Sequence, residues 1–148
     1  MVSLLDVNLL IALAWPNHVH HRAALRWFEK NHKSGWATCP LTESGFVRVS
    51  SNARILPDAR SPREAIALLR RIVALADHVF WQDDISIAAS DFIDETKLLG
   101  HRQITDAHLL AVALRHGGRL ATLDRGVTQL VPASRTANQA VTLVLAEA

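Results

Sequence analysis

Apolar residues run along this chain in two rhythms. Short continuous runs occupy Val2–Leu5, Trp36–Thr38, His78–Trp81, Arg119–Leu123 and Thr142–Leu145. They are mostly unbroken rather than alternating, the mark of strands buried on both faces. Between them, apolar positions recur at helical spacing. Ala65, Ile66, Leu69, Ile72, Val73 and Ala76 predict a helix. Ser61-Pro62-Arg63-Glu64 opens it as a capping box with proline at the first helical position. Ile104, Ala107, Leu110, Ala111 and Leu114 predict a second helix, stopped by Gly117-Gly118. Ile85, Ala89, Phe92 and Ile93 predict a third. Strands alternating with helices predict an α/β sandwich, with a central, mostly parallel sheet of about five strands and helices on both faces.

The chain has 148 residues, 49% of them hydrophobic, enough for one domain spanning residues 1–148. No repeat or linker divides it, and Ser50–Pro62 reads as a loop. No apolar run reaches the roughly 18 residues that cross a bilayer. The first apolar segment lacks a positive leader and is interrupted by Asp6 and Asn8, so neither a membrane anchor nor a secretory signal is expected. Cys39 is the single cysteine, which fits a cytoplasmic protein without an intrachain disulfide. The formal charge of +2 and pI near 9.2 permit an anionic partner without requiring one.

Acidic residues stand at the ends of the apolar runs. Asp6 follows the first predicted strand and Asp124 follows the Arg119–Leu123 strand. In a parallel sheet both lie at the carboxyl edge, where ligands bind. Asp106 falls near the first turn of its helix, with Thr105 as the expected cap. Glu43 follows the second strand by a few residues and begins a helix-like segment. Taken singly, each acid fits a turn or cap. Gathered in one crevice, they would repel one another unless a cation intervened. Oxygen-only donors suit Mg²⁺ or Mn²⁺, and such a site points to phosphoryl chemistry.

The stretches "LLDVNLLIAL", "LTESGFVRV" and "GHRQITDAHLLAVALRHGGRLATLD" resemble PIN-domain ribonucleases, most closely the VapC toxins of toxin–antitoxin pairs. The resemblance spans Val2 to about Val131. It implies a PIN-like α/β/α fold and a Mg²⁺- or Mn²⁺-dependent endoribonuclease. Asp6, Glu43, Asp106 and Asp124 align with the family's acidic metal site, and Asn8, Thr105 and Thr122 with polar positions that support it. A homodimer, an RNA substrate and a small VapB-type antitoxin are implied as well.

Two other functions fit some of these features. A haloacid-dehalogenase-type phosphatase needs a second acid two residues after its nucleophile, where this chain has Asn8. A non-catalytic module would bind RNA or a partner through the same pocket. Elsewhere, His18, His20 and His21 have weak metal spacing and read as solvated residues near a helix start. Asp83-Asp84 reads as the cap of the Ile85 helix. Trp15, Trp27, Trp36 and Trp81 read mainly as core or interface residues. Arg102 and Arg125 flank the acidic motifs and are the first choices for RNA phosphate contacts.

Overall fold

The computed structural model describes residues 1–145. Five strands form one sheet: β1 (Ser3–Leu5), β2 (Trp36–Thr38), β3 (His78–Phe80), β4 (Arg119–Thr122) and β5 (Val141–Leu143). Their order is β3-β2-β1-β4-β5, and every neighbouring pair is parallel. β1 is central, with Leu4 opposite Ala37 on one side and Leu120 on the other. Around the sheet lie α1 (Val7–Ala14), α2 (His21–Asn31), α3 (Pro40–Ser50), α4 (Pro62–Val73), α5 (Ile104–Arg115) and the short α6 (Ala137–Ala140).

Alternation along the strands feeds two cores. Leu4 packs in a cluster with Leu109, Leu110 and Ala113 of α5. Its neighbour Leu5 packs with Leu9 and Leu10 of α1, Trp36 and Phe46 of α3. Both leucines are fully buried, so the continuous apolar strand runs have their cause in a sheet covered on each face. α5 is buried from Leu109 through Leu114, as befits a helix packed on several sides.

The ends of the elements follow local chemistry. The Ser61 hydroxyl accepts from the Glu64 N–H at 3.1 Å, and a Glu64 carboxylate oxygen accepts from the Ser61 N–H at 3.3 Å. That is the expected capping box on α4. After α5 the two glycines do different work. Gly117 takes φ +71°, a conformation L side chains rarely adopt, and a Cβ on Gly118 would lie 2.5 Å from the Val2 carbonyl oxygen and the Trp81 ring. Similarly, a Cβ on Gly45 would lie 2.5 Å from Val7, so α3 approaches α1 closely there.

Three expectations need correction. The segment carrying Ile85, Ala89, Phe92 and Ile93 is no continuous helix; only Ile87–Ala89 makes a 3₁₀ turn. Local bonds compete with a helical ladder here: the Asp83 carboxylate accepts from the Ile85 N–H and the Ser90 hydroxyl from the Phe92 N–H, each at 3.1 Å. The apolar residues Ile85, Phe92 and Ile93 still pack against the α5-side core. Asp83 and Asp84 therefore cap no helix; Asp83 lies 2.7 Å from His108, and Asp84 pairs with Arg115 at 3.0 Å. Finally, Thr105 is not the cap of α5. A 3₁₀ turn at His101–Gln103 runs straight into that helix, leaving Gln103 at the cap position and Thr105 inside the first turn.

Candidate acidic active site

All strands point the same way, so the carboxyl ends of β1, β2 and β4 share one edge. From β1 the chain goes to β2 on one side, while β4 returns on the other. In parallel sheets, ligands bind where the direction of winding reverses. Asp6 stands at that point.

Asp6 caps α1 and is 5% exposed. Its Oδ1 accepts from the Leu9 N–H at 2.8 Å, and its Oδ2 accepts from the Thr122 hydroxyl. The backbone is pinned too, since the Asp6 N–H donates to the Ala121 carbonyl at 3.1 Å. Burial pushes the Asp6 pKa up to about 6, against the pull of its two hydrogen bonds. The carboxylates of Asp106 and Asp124 push it the same way.

Asp106 lies half-buried in the first turn of α5. Its pKa is raised by burial and then by Asp124. Asp124 is exposed just past β4, with its Oδ1 accepting from the Gly126 N–H at 2.8 Å. Thr122 links two of these acids: its hydroxyl donates to Asp6 and accepts from the Asp124 N–H at 3.0 Å. Three acids distant in sequence thus form one electrostatic unit.

Glu43 sits one strand over. It is half-buried on α3, and its Oε2 accepts from the Thr38 hydroxyl at 2.6 Å. It shares the carboxyl edge but is not among the charges acting on Asp6 or Asp106. Among the described residues, no three His, Cys, Asp or Glu side chains are drawn into a ready coordination cluster. The chemistry of the donors nevertheless fits a hard divalent cation. All are carboxylate oxygens, and burial first, with mutual repulsion added to it, raises the pKa of Asp6 and Asp106.

The other expected residues divide. Thr122 is fully buried and engaged as described. Asn8 and Thr105 are exposed, and no hydrogen bond among the described residues ties either to an acid. Arg102 and Arg125 are exposed near Asp106 and Asp124 in sequence. The histidines at 18, 20 and 21 organise the turn into α2, with His21 Nδ1 2.8 Å from the Ala12 carbonyl. Trp36 and Trp81 are core residues, and Trp15 is half-buried, donating to the Ser50 hydroxyl at 3.3 Å. Sequence reasoning missed Thr38 and His78, whose side chains meet at 2.8 Å beside Glu43. A signal for Thr38 was present. β2 and β4 both end in Ala-Thr, at Ala37-Thr38 and Ala121-Thr122, and each threonine donates to one acid.

The family model described as PIN domain matches residues 3–131. Ribonuclease VapC39 of Mycobacterium tuberculosis is 51% identical over 124 residues, covering 84% of this chain and 89% of that protein. Ribonuclease VapC44 of the same organism is 41% identical over 143 residues, covering 97% of this chain and all of that one. Among solved structures, a chain of the VapBC2 complex of Rickettsia felis bound to a promoter DNA fragment superposes with a TM-score of 0.63. It covers 97% of this chain and 98% of its own length at 10% identity, a likeness of fold alone.

Proposed function

Because the chain belongs to the PIN-domain family, with the family model spanning residues 3–131, we propose that it is a VapC-type toxin, an endoribonuclease dependent on Mg²⁺ or Mn²⁺. The observation that carries this reading is the electrostatic unit of Asp6, Asp106 and Asp124 at the carboxyl edge, within a chain half identical to a ribonuclease. Asp6, Asp106 and Asp124 would hold the ion, with Glu43 closing the site from β2's side. When bound, such an ion makes water a stronger nucleophile and neutralises charge on the phosphate.

The chain's own residues set up that work. Leu9 N–H and Thr122 hydroxyl fix both oxygens of Asp6, leaving its orientation determined before any ligand arrives. The Gly126 N–H does the same for one oxygen of Asp124. Asp106 rides on the first turn of a buried helix, so its backbone is rigidly placed. The exposed cations Arg102 and Arg125 are assigned to RNA phosphates. The proposal includes a cytoplasmic setting, a homodimer and a small VapB-type antitoxin that covers the site.

The test is cleavage of total cellular RNA by purified, antitoxin-free protein with Mn²⁺ or Mg²⁺, against EDTA and against Asp106→Asn. Discrete fragments that need both the metal and Asp106 are expected. Fragments that persist in EDTA or in the variant would overturn the assignment. Phosphate release from small phosphomonoesters would favour the phosphatase instead.

A further inference from the structure

The acid one strand away from the others has its own support. Thr38 ends β2 and is fully buried. Its hydroxyl donates to Glu43 Oε2 at 2.6 Å, and the same oxygen lies 2.8 Å from His78 Nε2. A threonine hydroxyl carries one proton. With that proton given to Glu43, the oxygen meets His78 as an acceptor, so Nε2 of His78 must carry hydrogen.

His78 reaches this place by sheet geometry. In the β2–β3 ladder it stands opposite Trp36, two residues before Thr38. From there the ring reaches the Thr38 hydroxyl two residues on, and the imidazole packs on the Trp36 indole with centroids 4.7 Å apart. The ring is therefore held by packing as well as by the hydrogen bond. On the other side, Glu43 follows Cys39 by one helical turn, its N–H bonded to the Cys39 carbonyl at 3.0 Å. Each end of the arrangement is anchored in regular structure.

We propose that His78 and Thr38 form a directed hydrogen-bond chain, His78 Nε2–H to Thr38 Oγ1 to Glu43 Oε2, that positions the Glu43 carboxylate for the acidic site. Thr38 and His78 are positioning residues in this account and touch no reacting atom. The arrangement matches that at β4, where Thr122 donates to Asp6 while accepting from the Asp124 N–H. In both, a strand-end threonine gives its single proton to a carboxylate and is oriented by a donor behind it. β2 recruits a side chain for that donor, and β4 uses the backbone. The proposal rests on the reading of Glu43 as part of a metal-dependent site, and its test separates the two.

The first arm is ¹⁵N NMR of the metal-free, full-length protein at neutral pH. Imidazole nitrogen shifts showing hydrogen on His78 Nε2 are expected in wild type, and a change of the Nε2 shift is expected in Thr38→Val, where the oxygen that accepts that hydrogen is gone. A His78 ring protonated on Nδ1 alone would overturn the chain whatever the protein's activity. The second arm is Mn²⁺ binding by Thr38→Val and Thr38→Ser, each first shown to fold by thermal melting. Thr38→Val is expected to lose roughly 10- to 100-fold in Mn²⁺ affinity, and Thr38→Ser to recover most of it. Equal affinity in wild type and Thr38→Val, or equal loss in both variants, would overturn the positioning role. If wild type binds no Mn²⁺ while His78 carries hydrogen on Nε2, the chain stands, the metal-site reading of Glu43 fails, and the positioning role fails with it.

Discussion

At the scale of single residues, Asp6 concentrates the tension in this molecule. It is buried, doubly hydrogen-bonded and pushed up to a pKa of about 6 from an ordinary 3.8. A carboxyl with a raised folded-state pKa holds its proton more tightly when folded. Below pH 3.8 it is protonated in both states and costs nothing. As pH rises from there through about 6, ionisation increasingly favours the unfolded chain, and above that the cost is complete. Asparagine caps helices as well as aspartate does, so Asp6→Asn removes the charge and keeps the cap. In EDTA, urea unfolding at pH 7.5 is expected to show the variant more stable than wild type, by on the order of 1 to 3 kcal/mol. At pH 4 the two are expected to coincide. A variant less stable at pH 7.5, or a difference independent of pH, would show that Asp6 is not held in the way described. Asp6 was legible in the sequence because a carboxylate stands between two apolar runs. Thr38 was legible only through its likeness to Thr122, each closing a strand after an alanine, since a lone threonine in a buried strand looks the same whether its hydroxyl serves the backbone or an acid.

Among elements, α5 and β4 were the most legible, because an apolar helix, two glycines and an apolar strand follow one another with clear punctuation. The same glycines give a prediction. Gly117→Ala is expected to cost about 1 kcal/mol through its positive φ. Gly118→Ala drives a methyl toward the Val2 carbonyl and the Trp81 ring, and is expected to cost about 1–3 kcal/mol. Both lie at the amino end of β4, away from the acidic edge, so cleavage by the folded fraction is expected to be unchanged. Urea midpoints that do not move in Gly118→Ala would contradict the packing of this corner. By contrast, residues 85–93 misled the periodicity argument. Their apolar side chains do reach the core, but Asp83 and Ser90 satisfy backbone N–H groups that a helix would otherwise use. Apolar spacing reports which side chains are buried, and it reports the backbone only when local hydrogen bonds agree.

Across the whole molecule, a parallel sheet with β1 at its centre brings Asp6, Asp106 and Asp124 together from three elements. Sequence alone singled out all four acids as candidates, but gave no grounds for setting Glu43 apart; in the structure Glu43 is not among the charges acting on Asp6 or Asp106 and bonds to Thr38 instead. An ion bound only to the folded chain stabilises it by mass action, by about 2.7 kcal/mol at one hundred times its dissociation constant. Thermal melts are therefore expected to shift upward with Mn²⁺ for wild type and to stay flat for Asp106→Asn. No shift in wild type at a concentration that supports cleavage would break the link between the cluster and the ion. Calorimetric titration of Mn²⁺ into metal-free wild type and Asp106→Asn at pH 7.5 decides whether the acids of this edge act as one cation site. Saturable binding by wild type, weakened by about tenfold or more in the variant, is the predicted result. Binding that is indifferent to Asp106, or absent from a protein that cleaves RNA, would contradict it.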